Sequence, residues 1–169
     1  MNYVSALTHE HSRSNTDRIA KAIGNDPKEF KKIVDIIYTA EAPLPQRASW
    51  VLMVVAEKYP QLIKPYVSKF IASISDFKID GIKRNMMHAL TTQAIPEKSQ
   101  GKLIDVCFEF LLSPTETLAV KVHSLQMLAD LCKVHPELKN ELLAAIDDQL
   151  PKTSVGFSAR VKKVMKELK

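Results

Sequence analysis

The sequence of 169 residues has few cysteines, few glycines and no long hydrophobic run. Its two cysteines cannot build a disulfide framework, and its four glycines leave little room for a loop that cradles phosphate groups. The longest apolar run, residues 50–56, is far shorter than the roughly 20 residues that cross a bilayer. Residues 1–13 show no leading positive cluster and no apolar core of a signal peptide. We therefore expect a cytoplasmic protein that does not bind membranes.

The motifs of the common enzyme classes are also missing. No G-x-G-x-x-G, Walker loop, H-E-x-x-H or G-x-S-x-G motif occurs. His9-Glu10-His11 is a weak metal-like cluster, but residues 1–13 are better interpreted as a mobile, solvated N-terminal segment, in which a short helix is an option. Cys107 and Cys132 fall on apolar helical stripes and are predicted to be buried thiols. We expect no catalytic residue, no metal and no cofactor.

The charge balance is basic, with 24 Lys and Arg against 19 Asp and Glu and a formal net charge of +5. Basic residues are spread along the chain except in the predicted last helix, which holds Arg160, Lys162, Lys163, Lys166 and Lys169. Cations are favourable near a helix C-terminus, and a run of charge is usually a solvated face. We favour that interpretation over a dedicated phosphate-binding patch.

Helix signals recur between the prolines, whereas strand signals are scarce. No Asn-Gly or Asp-Gly hairpin turn occurs. Apolar residues recur at helical spacing, and the first of these stripes stops at Gly24, a common C-terminal cap. Ser113-Pro114-Thr115-Glu116 has the pattern of a capping box, which predicts that a long helix opens there. The chain is predicted to be all-α.

A shift of 38 residues superimposes the apolar positions of three segments of the chain. The five columns are Leu52–Leu90–Leu128, Ala56–Ala94–Cys132, Tyr66–Ile104–Leu142, Phe70–Phe108–Ile146 and Ile74–Leu112–Leu150. An earlier copy fits with a shift of 33, which places Ile19 under Leu52. Because one helical hairpin cannot bury its apolar stripe alone, this repeat predicts a row of stacked hairpins.

One known repeat family has inner helices that open in a similar way. Residues 120–128, V-K-V-H-S-L-Q-M-L, resemble the start of a HEAT inner helix, and residues 82–90 follow the pattern with Met86 in the small-residue slot. The first copy departs from it, with Pro45 in the basic slot. The sequence thus resembles the HEAT/armadillo class of α-solenoids over about residues 14–169. This resemblance implies a right-handed superhelix of about four stacked hairpins, whose inner helices line a concave surface.

The predicted inner helices, about 45–58, 81–94 and 115–133, each leave three residues off the core stripe. These triplets are Arg47, Trp50 and Val54; Asn85, His88 and Thr92; and His123, Gln126 and Asp130. A tryptophan beside an arginine is a common composition at interfaces, so partner binding is predicted for the set Arg47, Trp50, Asn85, His88, His123, Gln126 and Asp130. The alternatives are that Trp50 packs in the core, that both histidines are satisfied by neighbours, and that Asp130 is a surface charge.

Three functions are consistent with this pattern. The leading prediction is a non-enzymatic scaffold that holds a partner protein or peptide on its concave face. The alternative is a nucleic-acid-binding protein similar to the HEAT-like DNA glycosylases for alkylated bases, in which phosphate contacts would fall to Arg47, Lys83, Arg84 and Lys121, and the site to Asp130 with Trp50. The third is another enzyme that would use His88, His123 and Asp130 as acid–base groups.

Overall fold

The computed structural model describes residues 1–168, and these residues form α-helices and short 3-10 turns but no β-strand. The α-helices are α1 (Tyr3–His9), α2 (Arg13–Ile23), α3 (Pro27–Thr39), α4 (Leu44–Lys58), α5 (Val67–Ser73), α6 (Asp80–Leu90), α7 (Glu97–Leu112), α8 (Leu118–Cys132), α9 (Lys139–Gln149) and α10 (Val155–Glu167). The prediction of an all-α chain is confirmed. Over residues 1–168, no helix is both long enough and apolar enough to cross a membrane.

The chain divides into two compact units, Met1–Ala94 and Ile95–Lys169. In the N-terminal unit α4 is central, because α1, α2, α3 and α6 all pack against it. In the C-terminal unit α8 has this role and contacts α7, α9 and α10. Each unit therefore buries the apolar stripes of its helices against a central one, as stacked helical repeats do.

The first helical hairpin shows how local sequence sets the helix ends. The N–H of Gly24 donates to the Ala20 carbonyl at 3.1 Å, and Gly24 has a φ of +54°, a conformation that glycine adopts readily. Asp26 then caps α3, because its carboxylate accepts the N–H groups of Lys28 and Glu29. Pro27 occupies the first turn of α3, where its missing N–H costs nothing.

The repeat columns lie in the core for the most part. Leu52, Leu90 and Leu128 are each fully buried. Five members of other columns are not buried: Leu112 is 45% exposed, Ala94 is exposed, and Tyr66, Ile104 and Leu150 are partly exposed. Ala94 lies outside a helix because α6 ends at Leu90, four residues before the predicted end. There the hydroxyls of Thr91 and Thr92 donate to the carbonyls of His88 and Ala89, which satisfies the last turn locally.

The start of α8 also differs from the expected capping box. The Ser113 hydroxyl accepts the N–H groups of Thr115 and Glu116, each at 3.2 Å, as the sequence suggests. These bonds close an isolated turn, however, and α8 begins at Leu118. A serine side chain can satisfy the N–H groups of a turn as well as those of a helix, so the pattern alone does not set the helix start.

Residues 3–9 form a docked helix, in contrast to the mobile segment that we expected for the N-terminus. α1 packs against α3 and α4 and buries the side chains of Tyr3 and Leu7. The Tyr3 hydroxyl donates to Glu29, and burial together with this carboxylate raises the pKa of the Tyr3 phenol. Tyr3 and Leu7 thus provide the apolar anchors that hold a short terminal helix in place.

Candidate functional site

Arg47 on α4 reaches the C-terminus of α1. Its Nη1 donates to the carbonyls of Leu7 and Thr8, at 2.7 and 3.1 Å. The buried Asn15 on α2 donates its amide to the carbonyls of Ala6 and Glu10, at 2.9 and 2.7 Å. The last carbonyls of a helix lack partners and carry partial negative charge. Arg47 and Asn15 therefore tie α1 to the rest of the N-terminal unit.

A cleft of about 160 Å³ lies beside Trp50, between α4 and α6. We name it the Trp50 cleft, and it is lined by His11, Gln46, Trp50, Arg84 and Asn85. The His11 ring meets the Trp50 indole edge-on, with 5.3 Å between ring centroids and 85° between planes. Trp50 is partly exposed, so it is a wall of this cleft as well as a neighbour of the core.

The floor of the Trp50 cleft is fixed by buried hydrogen bonds. Asn85 is 1% exposed, and its amide donates to the Ser49 hydroxyl at 3.0 Å. That hydroxyl donates in turn to the Gln46 carbonyl at 2.7 Å. Gly81 lets α6 approach closely, because a Cβ there would lie 3.0 Å from Nε2 of Gln46. A satisfied buried network of this kind holds the two helices in one arrangement.

The side chains that line the Trp50 cleft include one cation, Arg84, and no anion. Arg84 is exposed, and its Nε donates to Oδ1 of Asn85 at 3.4 Å, a long hydrogen bond. No ion pair within the described residues involves Arg84, and no carboxylate lines the cleft. His11 is also exposed and contributes an imidazole. The cleft can therefore bind a partner group that accepts hydrogen bonds or carries negative charge, next to an aromatic surface.

The remaining predicted residue of the N-terminal unit, His88, lies on the adjoining face of α6. Its Nε2 is 3.0 Å from Oε1 of Glu57 on α4, and both side chains are partly exposed. His88 thus joins α4 to α6 at their surface, in agreement with a histidine satisfied by a neighbour. Val54, the third member of the first triplet, is fully buried and contributes no surface for a partner.

In the C-terminal unit, the predicted residues are engaged within α8 and with α10. Nε2 of Gln126 donates to Glu167 at 3.0 Å, and Arg160 donates to Oε1 of Gln126 at 3.4 Å. Asp130 is exposed and forms an ion pair with Lys133 at 2.6 Å. His123 is half-buried on α8. The face that these residues share therefore meets α10 at Gln126 and opens to solvent at Asp130.

Three of the four cations considered for phosphate contacts are committed elsewhere. Lys83 and Lys121 are 8% and 7% exposed, and Arg47 binds carbonyls of α1. The ammonium of Lys121 donates to Gln149 at 2.6 Å, and burial lowers its pKa. Only Arg84 is exposed. In addition, Asp130 and Trp50 belong to different units.

His11 and Gln46 belong to the cleft but were absent from the predicted set. The repeat register could have indicated Gln46, because a shift of 38 residues aligns Gln46 of α4 with Arg84 of α6. Equivalent positions of neighbouring repeats lie next to each other when the helices stack. Nothing in the sequence pattern indicates His11. Its position beside Trp50 follows from the docking of α1 on α4, which brings His11, two residues after α1, against the indole.

Comparison with known proteins agrees with this architecture. A model of the HEAT repeat domain family matches residues 3–168, which is nearly the whole chain. No curated protein and no solved structure matches the chain. HEAT repeat domains serve in general as scaffolds for protein interaction, and members of this class are generally not catalysts. From its helices, its repeat columns and this match, the chain belongs to the HEAT repeat domain family.

Proposed function

We propose that this protein is a non-enzymatic interaction module whose N-terminal unit binds a segment of a partner protein at the Trp50 cleft. The observation that carries this proposal is a partly exposed Trp50 beside Arg84, over a floor held by buried hydrogen bonds. Tryptophan and arginine are the residue types that dominate binding energy at protein interfaces. A floor that is already ordered lowers the entropic cost of binding.

The size of the cleft supports a protein side chain rather than a small molecule as its occupant. Pockets for small molecules and cofactors usually measure about 300–1,000 Å³, and the Trp50 cleft measures about 160 Å³. A single side chain of a partner could fill it while the partner backbone runs along α4 and α6. A nucleic acid would need several exposed cations for its phosphates, and of the four considered only Arg84 is exposed.

Fluorescence of Trp50 tests this proposal directly, because Trp50 is the only tryptophan of the chain. Peptides that bind the full chain are selected from a displayed random library and titrated while tryptophan emission is recorded. We expect the selected peptides to change the emission of Trp50. Loss of a hot-spot contact costs about 2 kcal/mol or more, so Arg84→Ala should weaken binding by about 30-fold.

A matched variant separates the cleft from the general surface. Lys21→Ala removes an exposed cation from α2 of the same unit, and should leave peptide affinity unchanged. If Arg84→Ala and Lys21→Ala bound the peptides equally, the assignment to the Trp50 cleft would be wrong. Binding of a single-stranded oligonucleotide that weakens steeply with salt and requires Arg84 would instead favour nucleic acid as the partner.

A further inference from the structure

The seam between α8 and α10 forms a groove of about 340 Å³ in the C-terminal unit. We name it the α8–α10 groove, and it is lined by Val122, Gly156, Ala159, Arg160 and Lys163. Its floor is small and apolar, and its two charged residues are both cations. No carboxylate lines it. We infer that this groove is a second docking site, which binds acidic peptide segments that carry apolar side chains between their carboxylates.

The repeat register places this groove at the same position as the Trp50 cleft. Val122 and Arg160 lie two repeats, or 76 residues, after Gln46 and Arg84. Each pair lines the seam between two helices that open successive repeats. An arginine therefore stands at equivalent positions of the two units, although the residues around it differ.

Positive charge in the C-terminal unit is concentrated in the last two turns of α10, the helix that supplies Arg160 and Lys163 to this groove. Residues 160–168 carry four cations and one carboxylate, whereas residues 95–159 carry six cations and nine carboxylates. The four cations are Arg160, Lys162, Lys163 and Lys166. The single carboxylate, Glu167, accepts a hydrogen bond from Gln126. No ion pair among the described residues involves Arg160 or Lys163, so both can bind carboxylates of a partner.

Gly156 adds no side chain to the groove, and neither its backbone conformation nor the space around it requires a glycine. It lies in α10 with no positive φ, and a Cβ there would meet Leu118 and Ser154 at an ordinary 3.7 Å. An alanine would fit and would favour the helix. Together with Ala159 and Val122, the glycine leaves a shallow apolar strip that small partner side chains can cover.

The surroundings favour an acidic peptide over a nucleic acid. Single-stranded nucleic acids stack their bases on exposed aromatic side chains. The aromatic residues of the C-terminal unit are Phe108, Phe110 and Phe157, and all three are buried. The nine carboxylates of residues 95–159 would also repel a long polyanion that extended beyond α10. A short acidic segment meets the cations of α10 alone.

Fluorescence anisotropy of a labelled peptide tests the inference on the full chain. The probe has about 12 residues, alternating glutamate with leucine, so that both groove chemistries are presented; its neutral counterpart has glutamine in place of glutamate. We expect the acidic peptide to bind, with affinity that falls as salt rises, and the neutral peptide not to bind. The double variant R160E/K163E should weaken binding by about tenfold or more.

The control K98E/K102E changes the net charge of the protein by the same amount on exposed positions of α7. It should alter the affinity by less than about twofold if the groove is specific. Ala159→Gln keeps the charge but narrows the groove, and should also weaken binding. Circular dichroism confirms that each variant is folded.

Several results would overturn the inference. One is an equal loss of affinity in both double variants, which would show a non-specific response to net charge. Equal binding of the neutral peptide would be another. The third is a competition result. If a single-stranded oligonucleotide displaced the labelled peptide at a lower concentration than the unlabelled acidic peptide does, α10 would be a nucleic-acid-binding surface. Because Trp50 lies in the other unit, failure here leaves the emission test of the Trp50 cleft unaffected.

Discussion

The seam between α4 and α6 and the seam between α8 and α10 occupy equivalent places in the repeat, yet their linings differ. In the N-terminal unit His11 lies against Trp50, and a buried asparagine forms the floor. In the C-terminal unit the floor is apolar and the rim is cationic, with no exposed aromatic among residues 95–168. The period of a helical repeat thus sets where a groove lies. The residues that differ between repeats, and the segments that pack beside them, set what the groove can bind.

The two units also carry separate reporters. The only tryptophan, Trp50, lies in the N-terminal unit, and both cysteines lie in the C-terminal unit. Tryptophan emission therefore follows unfolding of residues 1–94, whereas thiol accessibility follows unfolding of residues 95–168.

The largest expected effect tests whether the two units share one core pattern. Leu52 and Leu128 belong to the same column, and both are fully buried. Leu52→Ala and Leu128→Ala should each lower the free energy of unfolding by about 2–5 kcal/mol, since each leaves a cavity. Urea denaturation followed by tryptophan emission measures the first, and urea-dependent thiol labelling measures the second.

Leu112 provides the matched control for Leu128 within the C-terminal unit. It lies on a repeat column but is 45% exposed. Leu112→Ala should lower the free energy of unfolding by less than about 1 kcal/mol, because the removed atoms are only partly buried in the folded protein. If Leu128→Ala were no more destabilising than Leu112→Ala, the equivalence of the columns would not hold.

A smaller effect distinguishes the arginines of the two units. Arg47 donates two hydrogen bonds to α1, so Arg47→Ala should lower the free energy of unfolding by about 1–3 kcal/mol. Arg160 makes one long, partly buried hydrogen bond, so Arg160→Ala should change the free energy of unfolding by less than about 0.5 kcal/mol. Tryptophan emission measures the former and thiol labelling the latter. Equal effects of the two substitutions would show that Arg47 does not hold α1.

The rate of thiol labelling tests whether the two units open independently of each other. Cys107 is fully buried, and burial raises the pKa of its thiol, so labelling requires opening of the C-terminal unit. Two single-cysteine variants compare the thiols under native conditions. Cys132, which is 8% exposed, should be labelled faster in Cys107→Ala than the fully buried Cys107 is labelled in Cys132→Ala. Labelling of Cys107 should accelerate in Leu128→Ala and remain unchanged in Leu52→Ala. Acceleration by Leu52→Ala would show that the units open together.

The smallest expected effect is a pH dependence confined to the N-terminal unit. The Lys32 ammonium, and after it the Tyr3 hydroxyl, hold the pKa of Glu29 below its ordinary value. A lowered carboxyl pKa contributes stability above the ordinary glutamate pKa, and this stability is lost as the pH falls through the lowered value. We measure the midpoint of urea unfolding by tryptophan emission at decreasing pH. This midpoint should decrease more in the wild type than in Glu29→Gln. The reverse order would contradict the link between Glu29 and α1.

Much of the fold could be predicted from the sequence, but less of the candidate site. The columns of Leu52, Leu90 and Leu128 follow from apolar residues at helical spacing, and the family match agrees with them. The end of α6 and the start of α8 could not be predicted, because threonine and serine hydroxyls can satisfy either a turn or a helix.

The sequence alone predicts the helices and the apolar stripe of each helix, because apolar periodicity is a local property that any helix must satisfy to bury one face. The roles of Arg47 and His11 depend instead on contacts between segments that are far apart in the chain. Arg47 meets carbonyls about 40 residues away, and His11 meets Trp50 through the same docking of α1. An arginine or a histidine can serve solvent, a helix end or a partner equally well, and its choice depends on which distant groups folding brings within reach.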